Sequence, residues 1–269
     1  MFPLRDENPH PPGFKPKVTI SLIIINAIVF FIQVAYTGQF FDFTNSNAFV
    51  MFYNWGAVPN CVTGAPGSLI DFGAGAVRLD CPTVPYVSLL SSIFMHGGLL
   101  HFAGNMWFLW IFGDNIEQKF GKIKFLGIYL IWGILAGLLH IYGDTSSVIP
   151  AVGASGAISG ILGAYLMIFP KARIQTFMML GFFWRMMHIQ ARWFLPFWLV
   201  FQNLLPLFVS GFGVAGGGVA YLAHIGGFAA GLATGYIYKK THSSDFHMGQ
   251  DMDTDQITDN DSRQELLKE

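Results

Sequence analysis

Apolar residues gather in long runs, broken by short polar and charged stretches. The pattern predicts six membrane spans: Val18–Tyr36, Tyr86–Phe112, Phe125–Tyr142, Ala151–Phe169, Trp193–Phe212 and Gly217–Tyr238. An apolar helix of about 20 residues crosses about 30 Å of hydrocarbon. The second run is long enough to tilt or to begin outside the hydrocarbon. Another apolar stretch, Ile174–Trp184, is too short to span and sits between Arg173 and Arg185, which predicts an interfacial or re-entrant segment.

Composition agrees with the pattern. The chain has 269 residues, 53% hydrophobic and 12% charged, against roughly 25% charged for a soluble domain. The expected fold class is an all-α membrane protein, a bundle of six transmembrane helices spanning residues 18–240. Residues 1–17 are polar and proline-rich, without the pattern of a cleaved signal peptide. They predict a cytoplasmic N-terminal segment ahead of a retained first span. From Thr241 onward the chain holds eight acidic and two basic residues, and 241–269 is expected to be a disordered cytoplasmic tail. No basic stripe suggests nucleic acid.

Lys and Arg fix the expected orientation. With the N-terminus inside, fourteen of the fifteen fall in cytoplasmic regions, leaving Arg78 alone outside. Both termini are then cytoplasmic, and Thr37–Pro85 forms an outer loop of 49 residues holding Cys61 and Cys81. These two cysteines either pair or remain thiols.

Polar groups inside spans are costly and mark function. Here they sit at comparable depth on three helices: His96, His101 and Asn105 on the second span, Ser155 and Ser159 on the fourth, His224 on the sixth. A serine hydroxyl becomes a nucleophile when a base takes its proton, and histidine is the usual base. Ser155 stands near a helix N-terminus, where free backbone N–H groups can face developing negative charge. His101 and Asn105, four residues apart, share a helix face and can direct donors at the same oxyanion. No Asp or Glu lies within these three spans, so Ser155 and His224 form at most a dyad. Small residues recur every fourth position at Ser155, Ser159, Gly163 and at Gly227, Gly231, Gly235, a pattern that lets membrane helices approach closely.

Each feature also has a plainer explanation. Small-residue stripes are usually packing, an intramembrane serine commonly bonds back to its own helix, and a lone histidine is commonly structural. His140 and His188 are assigned that role, with His96 either supporting the site or lying at the interface. Several histidines near one membrane face suggest a metal, but there is no HExxH pattern and no accompanying carboxylate, so no metal or cofactor is expected. A channel or transporter would show charged midplane residues or inverted repeats, and neither is evident.

Three stretches, HGGLLHFAGNMWFLWIFGDNIEQKFG (His96–Gly121), GASGAISGILGAY (Gly153–Tyr165) and AHIGGFAAG (Ala223–Gly231), give the chain a family likeness. It resembles the rhomboid family of intramembrane serine proteases over about Val18–Tyr238. The resemblance implies Ser155 as nucleophile and His224 as general base, with His101, Asn105 and the Ser155 backbone N–H binding the oxyanion. It implies an outer loop partly embedded in the leaflet, and a gate and cap built from the fifth span and Gly211–Gly218. Implied substrates are single-pass transmembrane proteins, cut in a lipid bilayer without cofactor. Glu117 and Gly121 match a family element expected to be structural. The short soluble regions and two-sided topology suit a bacterial inner membrane, with an organelle membrane as the alternative. Two features depart from the family: Ser159 stands where some members carry an aromatic stacked on the histidine, and Arg78 follows Val77 rather than Trp. A catalytically dead relative that only binds transmembrane helices would be expected to lack Ser155 or His224.

Overall fold

The computed structural model of the chain describes residues 1–71, 76–82, 84–180, 183–210 and 220–242. In chain order these form β1 (Phe2–Asp6), α1 (Lys17–Thr37), α2 (Ser46–Trp55), α3 (Pro59–Val62), β2 (Gly67–Asp71) and β3 (Ala76–Asp80). The short helix α4 (Ser88–Ser91) follows between two 3-10 turns, then α5 (Leu99–Phe120), α6 (Lys122–Gly143), α7 (Ser155–Ile168), β4 (Arg173–Leu180) and β5 (Phe183–Gln190). Last come α8 (Ala191–Leu199), a π-helical turn Val200–Leu204, α9 (Leu205–Ser210) and α10 (Tyr221–Thr241).

Helix α7 is the axis of the bundle. It packs on α5, α6 and α10, and 11 of its 14 residues are buried. Being enclosed by protein, it does not need a full bilayer's length of apolar surface. Among the described residues two helices, α1 and α6, are long and apolar enough to cross a membrane by length and composition. Their outer faces, with Ile24, Ile28, Phe31 and Ile32 on α1 and Ile131, Leu135 and Leu139 on α6, are exposed. That apolar surface suits a lipid solvent.

The predicted second span is two pieces. Its first half is the broken helix Pro85–Phe94, and a turn at Met95–Gly98 precedes α5. The backbone causes the break. The Leu99 N–H donates to the Phe41 carbonyl and the Phe43 N–H to the Gly97 carbonyl, both at 2.9 Å. A Cβ on Gly98 would collide with the Phe41 carbonyl, so the outer loop can lie against this turn only where the residue is glycine.

The bundle is helical, but the segments around it contain strands that the apolar pattern does not announce. The segment Ile174–Trp184, expected to be interfacial or re-entrant, is part of an antiparallel pair, β4 and β5, with Arg173 opposite Gln190 and Leu180 opposite Phe183. Ile174 and Thr176 are buried while Arg173 is exposed, the period-two alternation of a half-buried strand. The N-terminal segment supplies the third strand, Phe2 opposite Phe177 and Asp6 opposite Ile174. It is anchored to α5, where Trp107 Nε1 donates to the Pro3 carbonyl at 2.7 Å. In the outer loop β2 pairs antiparallel with β3, and Cys61 and Cys81 form a disulfide with Cα atoms 5.4 Å apart. The predicted cap Gly211–Gly218 and the tail from residue 243 lie outside the described residues.

Glu117 ties α5 to α1. Its buried carboxylate accepts from the Val18 N–H (3.0 Å), the Thr19 N–H (2.8 Å) and the Thr19 hydroxyl (2.9 Å). It thus caps the first turn of α1 from 98 residues away, where the helix dipole favours negative charge. Four residues on, Gly121 ends α5 at φ +74°, a conformation glycine adopts without steric penalty.

Candidate active site

Ser155 opens α7 and His224 lies in the first turn of α10. Glycines bring these two helices together. A Cβ on Gly227 would strike the Gly156 carbonyl, one on Gly231 the Gly160 carbonyl, and one on Gly163 the Phe228 carbonyl. The predicted stripes therefore bring backbone against backbone. At the end of this contact His224 Nε2 lies 2.7 Å from Ser155 Oγ. Ser159 bonds back to its own helix, donating to the Ser155 carbonyl at 2.8 Å.

The pair faces a cavity of about 550 Å³ whose wall also includes His101, Asn105, His140 and Trp198. His101 Nδ1 accepts from the Gly97 N–H at 3.2 Å, so the neutral ring carries its proton on Nε2. Asn105 is buried, and its Nδ2 has no hydrogen-bond partner among the described residues. An amide donor left unpaired beside a cavity is available to an incoming acceptor. Ser155 is the first residue of α7, so its own N–H lacks an intrahelical acceptor. Three donors, the Asn105 amide, His101 Nε2–H and the Ser155 N–H, thus belong to one cavity. This combination suits a reaction that generates an alkoxide-like oxygen next to an attacking hydroxyl.

The other histidines divide. His96 is fully buried, with its ring 5.3 Å from that of His101 in an edge arrangement. His140 lines the cavity. His188 lies on β5, away from the site, 3.1 Å from Glu7. Among the described residues no group of three or more His, Cys, Asp or Glu is placed to hold a metal ion.

The second ring nitrogen of His224 also has a partner. Nδ1 lies 2.5 Å from Oδ1 of Asn203, a fully buried residue in the π-helical turn Val200–Leu204. Trp198, on the same helical segment, holds its ring 6.4 Å from the imidazole. Asn203 is an amide on the fifth predicted span, whereas the expected acid partner for His224 is a carboxylate on the second, fourth or sixth. The available signal was a Gln202–Asn203 pair inside an otherwise apolar run between Pro196 and Pro206.

A family model for the Rhomboid domain matches residues 85–241, more than half of the chain. The chain belongs to the rhomboid family. Among its relatives, the mitochondrial Rhomboid protein 1 of Saccharomyces cerevisiae is 28% identical over 162 residues, covering 57% of this chain and 42% of that protein. The Rhomboid protease GluP of Bacillus subtilis is 29% identical over 220 residues, 81% of this chain and 34% of its own. RHOMBOID-like protein 5 of Arabidopsis thaliana is 41% identical over 78 residues, 29% of this chain and 25% of its own. The chain spans less than half the length of these relatives. Rhomboid proteins are integral to membranes, and the family includes proteases. The matched region runs from the broken helix before α5 through α10, and so contains every cavity residue named above.

Proposed function

We propose that this rhomboid protein is an intramembrane serine protease, with Ser155 as nucleophile and His224 as general base. The observation that supports it most is the 2.7 Å contact between His224 Nε2 and Ser155 Oγ beside the cavity. His224 takes the hydroxyl proton as Oγ attacks the scissile carbonyl carbon. The resulting oxyanion is met by the Asn105 amide, His101 Nε2–H and the Ser155 backbone N–H. The tetrahedral centre collapses, and the leaving amine takes the proton from the imidazolium. Water then repeats the sequence on the acyl ester, with His224 again as base, and frees Ser155. No metal or cofactor enters these steps.

The substrates in this reading are single-pass transmembrane proteins, drawn from the surrounding lipid and cut beneath the outer membrane face. The six crossings are α1, α5, α6, α7, the segment from α8 to α9, and α10, with both termini cytoplasmic. A bacterial inner membrane suits this two-sided topology, although relatives also include mitochondrial proteins.

The test uses purified full-length protein in detergent. A fluorophosphonate probe should label Ser155, and a single-span substrate should be cleaved. Ser155→Ala and His224→Ala should remain folded and lose both signals. Cleavage by Ser155→Ala at the wild-type rate would falsify the assignment.

A further inference from the structure

We infer that Asn203 is a positioning residue that holds His224 in the tautomer and orientation needed to activate Ser155, an inference that rests on the protease reading of the site. For His224 to accept the Ser155 proton, Nε2 must offer its lone pair, so in the neutral ring the proton sits on Nδ1. That Nδ1–H needs an acceptor. Asn203 Oδ1 lies 2.5 Å from Nδ1, while Nε2 lies 2.7 Å from Ser155 Oγ. The three side chains come from three elements, α7, α10 and the π-helical turn, and form one line of hydrogen bonds. An amide carbonyl is neutral, so it fixes the ring without adding charge to a site within the bilayer. Catalytic serine and cysteine sites accept either a carboxylate or an amide as the group behind the histidine.

Two independent observations argue that Asn203 is more than filling. It is fully buried, and its Nδ2 has no hydrogen-bond partner among the described residues. A half-satisfied amide is a poor choice for packing, since an apolar side chain of similar shape would leave no polar atom unpaired. It also lies in a π-helical turn, closed by the Leu205 N–H on the Val200 carbonyl. Pro206 follows immediately and has no N–H for the Gln202 carbonyl. The widened turn allows both Trp198 and Asn203 to face His224 although they are five residues apart, a separation that diverges on a regular α-helix.

The experiment compares full-length wild type, Asn203→Ala and Asn203→Asp in detergent, by fluorophosphonate labelling of Ser155 and by cleavage of a single-span substrate across pH. The expected result for Asn203→Ala is ~10²-fold slower labelling and a comparable fall in kcat, with KM little changed, the effect of a misaligned base. Asn203→Asp keeps an acceptor and should recover much of the rate at high pH. Its carboxylate stabilises the imidazolium, so the acid limb of its pH–rate profile should move up by about one unit or more. The other ionisable groups that act on His224 among the described residues are His101 of α5 and His140 of α6, and both variants leave them in place.

A purely structural role would lower stability in Asn203→Ala without slowing Ser155 labelling of the folded protein. Wild-type labelling by Asn203→Ala, or an unshifted profile in Asn203→Asp, overturns the inference. Should Asn203→Ala fail to fold, the Asn203→Asp profile decides alone. Nitrogen NMR of the His224 ring is a readout independent of hydrolysis. Nδ1 should be the protonated nitrogen in wild type, and a proton on Nε2 would overturn the inference. An unlabelled wild type that still shows Nδ1 protonated sinks the protease reading and leaves the positioning contact standing.

Discussion

Gly153 and His101 are packed so closely that a Cβ on the glycine would stand 2.8 Å from His101 Nε2 and 3.5 Å from Ser155 Oγ. Gly153 also holds φ +133°, where other L residues are strained. Gly153→Ala should therefore push the His101 donor out of the cavity and shift the start of α7. We expect ~10²-fold or greater loss of kcat, with a melting temperature that falls far less than activity does. Near-wild-type turnover in Gly153→Ala would show that His101 Nε2 need not hold this position.

Asn105 Nδ2, without a hydrogen-bond partner among the described residues, belongs to the same cavity. Asn105→Ala should lower kcat by ~10²- to 10³-fold with KM nearly constant, as expected for a donor used in the transition state. Removing it also deletes a buried unsatisfied amide, so stability should hold or rise. Steady-state kinetics together with thermal unfolding separate these effects. Equal rises in KM and losses of stability would instead assign Asn105 to packing.

Gly227 and Gly127 form a matched pair of tests. A Cβ at Gly227 would strike the Gly156 carbonyl, whereas at Gly127, exposed on α6, it meets nothing within 4 Å. Gly227→Ala should separate α7 from α10, cutting stability and also lengthening the Ser155–His224 contact, so activity should be lost at temperatures where the protein remains folded. Gly127→Ala should leave activity intact and stabilise the helix by about 0.5–1 kcal/mol.

The parts legible in the sequence are those with a local chemical signature. Ser155, His224, His101 and Asn105 stand out because polar groups are rare in apolar runs, and each run has a helix in the structure. Asn203 obeys the same rule, but a neutral amide carries no sequence signature that marks it as an acceptor for a histidine N–H in the way a carboxylate would. The strand Phe2–Asp6 has no local signature. It pairs with residues 174–177, and five residues carry too short an alternation to betray a partner so distant. Likewise the turn at Met95–Gly98 interrupts a continuous apolar run because the outer loop bonds to it, a tertiary contact that hydropathy does not register. The disulfide was undecidable for a similar reason, since spacing alone does not give the 5.4 Å between the two Cα atoms.

The cap that Glu117 places on α1 yields a stability prediction separate from the chemistry. Glu117→Ala leaves two N–H groups and the Thr19 hydroxyl without their acceptor. We expect a loss of about 3 kcal/mol in unfolding free energy, with the active-site kinetics of the surviving folded fraction unchanged. Glu117→Gln keeps one oxygen acceptor and should lose less. Thr19→Val removes only the hydroxyl donor and should be the mildest of the three. A different order among these variants, measured by thermal or denaturant unfolding, would sink the capping account.

The N-terminal segment gives the fold a pH dependence of definite sign. Asp6 accepts hydrogen bonds from the Tyr165 hydroxyl (2.8 Å) and Asn115 Nδ2 (2.7 Å). Burial, aided by the nearby Asp114 charge, nevertheless outweighs those bonds and pushes its carboxyl up to about 6. His10 is also raised, because hydrogen bonds to Gln118 and Asp114 overcome the opposing effect of burial. A group whose pKa is raised on folding stabilises the protein while it is protonated. Asp6's contribution is complete below its unfolded value near 3.8 and is lost as pH rises through about 6. His10's contribution is complete below 6.5 and is lost above it. Both slopes have the same sign, so stability attached to the N-terminal segment should fall from pH 5 to pH 8, by roughly 2–4 °C in Tm for each 1 kcal/mol involved. Asp6→Asn remains neutral and can still accept from Tyr165, so it should remove the lower part of this slope and exceed wild type in Tm at pH 8. Protection of the segment from proteolysis should follow the same pH course. An Asp6→Asn protein with the full wild-type slope would place the titrating group elsewhere.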